Sequence, residues 1–199
     1  MERAPDSKEK TVVAAARLFS QRGYHGTALN DILAAAGSPR GSLYFHFPGG
    51  KEQIGEVASG VAGEAVRQVI AGAAASSVDV EEFLTQIVRT MASNLERSGY
   101  TEGCPIATTA LETAAQSDVL GAAARSAFQS WEHELARGLE RFGMQGATVL
   151  ATMVLSQLEG ALLLARTYRS LDPMHRAQEA VKLLANAQRP KSKQRNRAK

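Results

Sequence analysis

Residues 27–52 read TALNDILAAAGSPRGSLYFHFPGGKE, and the fold turns on where this stretch is cut into helices. Apolar spacing predicts a short helix over about Ala28–Ala36, with Thr27 as its cap and Leu29, Ile32, Leu33 and Ala36 facing inward. Gly37 stops that helix, as a glycine just past a helix end does. Ser38 is expected to cap the next one, with Pro39 at the first helical position, where its fixed φ fits. This third helix reaches only about Phe45 before Pro48-Gly49-Gly50 turns the chain into a long helix from Lys51 to about Ala74.

Helical spacing continues on both sides. Upstream, Ser7 can cap a helix over Lys8–Gln21 whose stripe is Val12, Ala15, Ala16 and Phe19, and Gly23 ends it. Downstream, Phe83, Ile87, Met91 and Leu95 mark one face of a helix over about Val80–Arg97. Further helices are expected from Cys104 or Pro105 to about Ala115, from Asp118 to about Phe142, from Ala147 to about Ser170, and from Asp172-Pro173 to about Gln188. No stretch alternates apolar and polar residues with β-branched enrichment. The chain is therefore expected to be all-α, with about nine helices.

Composition narrows the class. The 199 residues are 44% apolar and 22% charged, ordinary for a soluble globular protein. The opening MERAPDSKEK is charged and lacks the apolar core of a secretory signal. No apolar run approaches the roughly 20 residues of a membrane span. Cys104 is the single cysteine, so no intrachain disulfide can form. A cytoplasmic protein without a membrane partner is expected. The net charge of +3 is unevenly placed. The last eleven residues, RPKSKQRNRAK, hold six of the 23 basic residues and no acid, so the remainder carries 17 basic against 20 acidic residues, a net of −3. Residues 189–199 thus form a basic tail, readable as a solvated end or as a nonspecific contact to nucleic acid.

Two short helices joined at a glycine, behind a longer supporting helix, form a unit that can dock in the major groove of DNA. In SPRGSLYFHF, Leu43 and Phe47 stand four residues apart and can point inward, leaving Arg40, Ser42, Tyr44 and His46 outward. Arginine can pair bidentately with guanine, while hydroxyl, phenol and imidazole groups can donate to phosphates. Gly41 admits a close backbone approach, and Lys51, opening the fourth helix, suits a phosphate. By spacing alone, a plain helical bundle with an aromatic core stripe fits equally well. The histidines, His25, His46, His133 and His175, lack metal-ligand spacing with one another or with Cys104, so no metal is expected. No nucleophile elbow, P-loop or dinucleotide fingerprint is present, and no catalytic residue or cofactor is expected. Glu112, near Thr108 and Thr109, is the faint candidate for an acid/base role in an all-α enzyme. A helical ligand-binding module with a decayed DNA-binding segment is a further alternative, disfavoured by the intact outward set.

The motifs AARLF (15–19), GYHGT (23–27), DILAAAG (31–37), GSLYFHF (41–47) and GKE (50–52) resemble the TetR/AcrR family of transcriptional regulators. The run SPRGSLYFHFPGGKE together with GCPIA (103–107) resembles its LmrA/YxaF-type subgroup. The resemblance implies a helix-turn-helix DNA-binding domain at 1–52 and an effector-binding and dimerisation domain at 53–188. It implies a homodimer on double-stranded, near-palindromic operator DNA, released by a small hydrophobic or aromatic effector. It places DNA contacts at Thr27, Arg40, Gly41, Ser42, Tyr44, His46 and Lys51, with Phe45 taken as packing.

The helix from Ala147 is apolar on more than one side. Leu150, Val154, Leu158 and Ala161 form one row, and Met153, Leu164 and the small Gly160 another. Such a helix can be wholly internal, or it can cover its own domain on one face and a second subunit on the other. The resemblance favours a dimer interface over these seven residues. Glu159 and Arg166, seven apart on this helix, could pair across a dimer or be solvated. An apolar effector pocket is expected from Phe83, Ile87, Met91, Ile106, Thr109, Phe128, Trp131 and Gln157, any of which could instead be ordinary core. Cys104, beside Pro105 at a helix start, reads as a buried structural cysteine or as a reactive thiol.

Overall fold

The computed structural model describes residues 6–187, apart from the side chain of Ser42; the basic tail at 189–199 lies outside the described residues. Among these residues the chain is all-α. Its helices are α1 (Ser7–Arg22), α2 (Leu29–Ala36), α3 (Arg40–His46), α4 (Gly50–Ser76), α5 (Val80–Arg97), α6 (Ala107–Thr113), α7 (Asp118–Arg141), α8 (Ala147–Tyr168) and α9 (Asp172–Ala187).

The helix starts differ from the expected caps. Asp6, not Ser7, caps α1: its carboxylate accepts the Glu9 N–H at 2.9 Å, and the Glu9 carboxylate accepts the Asp6 N–H at 3.0 Å. Ser38 does not cap α3, which starts at Arg40 behind Pro39. Its hydroxyl lies 3.0 Å from that of Ser7 and accepts from Thr11 at 3.3 Å, pinning the α2–α3 turn to α1. Thr27 does not cap α2 either. It is 0% exposed, and its hydroxyl donates to the carbonyls of Gly23 at 2.8 Å and Leu18 at 3.3 Å. At Thr27 and Ser38 the hydroxyl is engaged with α1 and the turn after it, not with the start of the next helix.

Two apolar cores result. The first joins Val12, Ala15, Leu18 and Phe19 of α1 to Ile32 and Leu33, to Leu43 and Phe47, and to Ile54 and Ala58 at the start of α4. The second fills the bundle of α4–α9, with Phe83, Leu84, Trp131, Leu135 and Leu139 among its largest members. The 27-residue α4 contributes to both. Its packing on α7 is close because Gly63 faces Ala127: a Cβ at Gly63 would stand 2.9 Å from that of Ala127. Arg67 of α4 also reaches Glu134 of α7 at 3.2 Å.

Gly138 of α7 is tighter still. A Cβ there would lie 2.5 Å from Cζ of the fully buried Phe83. Gly138→Val is therefore expected to destabilise the bundle by about 1–3 kcal/mol, as overpacking does, seen as a lower denaturant midpoint at unchanged slope.

On α8, Leu150, Val154, Leu158 and Ala161 are buried in the chain's own core. They cannot meet a second subunit, which corrects their assignment to an interface. Met153, Gly160 and Leu164 are exposed, beside Val149, Leu163 and Tyr168. By length and composition alone α8 is apolar enough to cross a membrane, contrary to the reading of the sequence, and its inner row is packed inside the bundle.

Candidate functional site

The outer surface of α3 follows from its two anchors. Leu43 and Phe47, one turn apart, are buried, so the residues between them must face out. Tyr44 is 65% and Phe45 83% exposed, Arg40 and Gly41 are exposed, and His46 is half-buried against both phenylalanines. Phe45 is thus not packing. The signal was available: with Leu43 and Phe47 filling the inner stripe, a seven-residue helix has no room for a third apolar anchor. A Cβ at Gly41 would meet nothing within 4 Å, so the surface beside it is open.

Arg40 does not float freely. Its Nε and Nη2 donate to Oδ1 of the exposed Asn30 on α2 at 3.2 and 2.5 Å. Asn30, which sequence reading passed over, therefore sets the direction of the guanidinium. Between the two helices Gly37 takes a left-handed φ of 61°, the turn glycine is suited to make. Thr27, fully buried with its hydroxyl committed internally, presents no side chain to a ligand, which corrects its expected role as a contact. Lys51 lies with its ammonium 4.3 Å from the centre of the Tyr24 ring, a cation–π contact. Burial holds its pKa down, with Glu112 acting in the opposite sense. What remains is a compact exposed set, Asn30, Arg40, Gly41, Tyr44 and Phe45, flanked by His46 and Lys51. Guanidinium, phenol and amide groups on the exposed face of a short helix suit base edges and phosphates of a duplex.

The three-helix unit is tied to the bundle through one side of α1. Arg17 Nε and Gln21 Nε2 both donate to Glu102, at 2.8 and 2.9 Å. Arg166 of α8 donates to the Gln21 carbonyl at 2.7 Å, and the Gly103 N–H to the Ser20 carbonyl at 3.4 Å. Glu112 accepts the His25 N–H at 2.7 Å, and Ser117 donates to Glu52 at 2.7 Å. Glu112 is thus committed to a structural bond, which removes the ground for an acid/base role. Arg166 is likewise engaged with α1, so the expected alternatives of pairing with Glu159 or being solvated do not describe it.

Above these contacts lies a cavity of about 610 Å³ between α1, α4, α5, α7, α8 and the segment Glu102–Pro105. Of the expected pocket residues, Ile87, Met91 and Trp131 line it. Phe83 and Ile106 are fully buried in the core outside the lining, and Thr109 is buried on α6. Phe128 packs edge-on against Trp131, ring centres 5.2 Å apart, and Gln157 is exposed on α8. These five are corrected as lining residues. Trp131 donates its indole N–H to the Gly63 carbonyl at 2.8 Å, which fixes the ring in the wall. Val66, Leu155, Cys104 and Glu159 also line it; the sequence singled out Cys104 and Glu159 for other reasons, while Val66 and Leu155 do not break the helical apolar pattern. Burial pushes the Glu159 carboxyl above its usual range, eased by a hydrogen bond with Cys104. Burial first, and the charge of Glu159 second, push the Cys104 thiol up, the opposite of what a reactive thiolate requires.

Comparison with known proteins agrees with this geometry. Residues 12–56 match the model of bacterial regulatory proteins of the tetR family, and residues 81–180 match the C-terminal domain of LmrA/YxaF-like transcriptional regulators. The chain is 35% identical to the HTH-type transcriptional regulator LmrA of Bacillus subtilis over 85% of its own length and 91% of that protein. It is 34% identical to the regulator YxaF of the same organism, over 90% and 95%. Among solved structures, a TetR transcriptional regulator from Legionella pneumophila superposes with a TM-score of 0.83 at 21% identity, covering 92% of this chain and all of that one.

Proposed function

Since the chain belongs to the TetR family of DNA-binding transcriptional regulators, a non-enzymatic class, we propose that it is a cytoplasmic repressor that leaves a near-palindromic operator when a small hydrophobic or aromatic effector fills the cavity beneath α1. The observation that carries this reading is the shared wall. Ala16, Arg17 and Ser20 line the cavity from α1, the same helix whose Val12, Ala15 and Phe19 support α2 and α3. A ligand that prefers a shifted α1 or α4 therefore biases the placement of α3. The coupling equals the difference in its affinity for the two arrangements.

The exposed face of α3 is proposed to enter the major groove. Arg40, steered by Asn30, is assigned to a base edge, and Tyr44, with His46 and Lys51, to phosphates. The exposed apolar face of α8, together with the exposed Leu183 of α9, is proposed to cover the same surface of a second copy. A two-fold pair would set two α3 helices one turn of DNA apart, about 34–36 Å. Gly160, where a Cβ would meet nothing within 4 Å, leaves room for that close approach. Residues 1–52 then serve as the DNA-binding domain and 53–188 as the effector and dimerisation domain, with α4 as the lever between them.

The test is a mobility shift with the DNA upstream of the protein's own gene at moderate salt. A discrete shift at a near-palindrome is expected, and no shift at any such sequence would sink the reading. Tyr44→Ala should weaken the shift by about 5- to 30-fold, the loss of about 1–2 kcal/mol in all over the two half-sites, with unchanged thermal stability because the ring is exposed.

A further inference from the structure

We propose that the cavity selects an apolar cation: a ligand whose hydrocarbon body fills the space and whose protonated amine pairs with Glu159. This rests on the reading of the cavity as the effector site and names the chemistry of its occupant. Most of the wall is apolar, and its polar groups are nearly all committed. The Trp131 indole donates to Gly63, Ser20 to the Arg17 carbonyl at 3.0 Å, Thr90 to the Gln86 carbonyl at 2.9 Å, and Ser98 to the Leu95 carbonyl at 2.7 Å. At the mouth, Arg17 is held by Glu102, and Arg97 by Asn94. Arg166, two turns along α8 from Glu159, is held by Gln21.

Glu159 is the exception. It lines the cavity from α8, and it enters none of the ion pairs found among the described residues. Its partner is the thiol of Cys104, a weak donor. A half-buried carboxylate in a mostly apolar wall without a cation is costly, and a ligand that brings the cation recovers part of that cost. A hydroxyl in the same place can donate a hydrogen bond but brings no charge to compensate the carboxylate, and a ligand carboxylate is repelled. The expected order is ammonium, then alcohol, then carboxylate, on one hydrocarbon frame.

Trp131 is the single tryptophan and stands in the wall, so its emission reports occupancy directly. The probes are 3,3-diphenylpropylamine, 3,3-diphenylpropan-1-ol and 3,3-diphenylpropanoate, titrated at neutral pH against the full chain and against Glu159→Gln and Glu159→Asp. The amine should bind about tenfold or more tighter than the alcohol, as a desolvated charge pair does over a bond from an uncharged donor. Glu159→Gln should reduce that preference to about one, and Glu159→Asp, keeping the charge, should retain most of it. Equal affinity of amine and alcohol for the full chain, a preference that survives in Glu159→Gln, or no binding of any probe would overturn the proposal. Mobility shifts with the same probes separate the two readings. Operator release by the alcohol as readily as by the amine removes the cation site and leaves the effector-released repressor. Amine binding through Glu159 that never alters an established shift does the reverse.

Discussion

Leu163→Asp combined with Leu183→Asp is expected to leave the chain folded, make it monomeric, and reduce operator affinity by at least about a hundredfold, because each subunit would then grip only half of a two-part site. Leu163 is 62% and Leu183 71% exposed, on α8 and α9, so neither aspartate disturbs the chain's own core. In a two-fold pair every substitution acts twice. At about 1.5–3 kcal/mol per buried leucine, up to roughly 6–12 kcal/mol of apolar association would be lost, before the cost of burying the new charges. That is on the scale of a micromolar to nanomolar dimerisation free energy, about 8–12 kcal/mol. Sedimentation should read a single subunit mass, circular dichroism an unchanged helical signal, and mobility shift the lost affinity. A variant that stays dimeric would place the interface elsewhere.

That face also shows how far the sequence could be read. The apolar character of the Ala147 helix on more than one side was plain, but its two rows were assigned together. Only packing distinguishes a row that meets α7 and α9 from a row that meets nothing within the chain. Leu150 and Leu164 are the same residue type in the same kind of segment, yet one is buried and the other 44% exposed. The all-α class and the helix order were legible because they depend on local spacing and glycine stops. Helix starts were less so, since Ser7, Thr27 and Ser38 all look like caps, yet Ser7 and Ser38 share a bond 31 residues apart and Thr27 turns its hydroxyl back to the Gly23 carbonyl.

The exposed face of α3 was largely legible because a seven-residue helix with two apolar anchors has few ways to sit. Phe45 was misplaced by residue type: a phenylalanine is assumed to be inside until the inner stripe is counted. Asn30 was missed because its importance lies in a contact with Arg40 ten residues away. The cavity was least legible. Ile87, Met91 and Trp131 line it, while Phe83 and Ile106, equally apolar, fill core beside it. Whether apolar side chains meet a space or one another is a property of helix placement. Glu159 carried the one usable signal, a lone acid inside an apolar helix, but spacing could not say which side of that helix the second layer would cover.

The pair Phe47→Ala and Phe45→Ala should separate the two roles an aromatic residue takes on α3. Phe47 is 1% exposed and closes the small first core, where Leu43 is the other anchor of the helix. Removing a buried phenylalanine costs about 3–5 kcal/mol. The first core is built from few residues, and units of about 50 residues are marginal. That loss is therefore expected to release α3 from α1 and α2, abolishing the mobility shift to beyond about a hundredfold weaker binding. The second core shares only α4 with the first, so most helical signal and the Trp131 emission should persist. Phe45→Ala should do the opposite: no measurable change in the melting curve, because the ring is already in water, and a weakened shift of about tenfold, about 1.4 kcal/mol in all, for a lost apolar contact to the duplex. Hydrogen exchange would localise the difference, with the amides of α3 losing protection in Phe47→Ala alone. If Phe45→Ala instead lowers stability, its side chain is packing after all. If Phe47→Ala still binds operator, α3 is held by more than its two anchors.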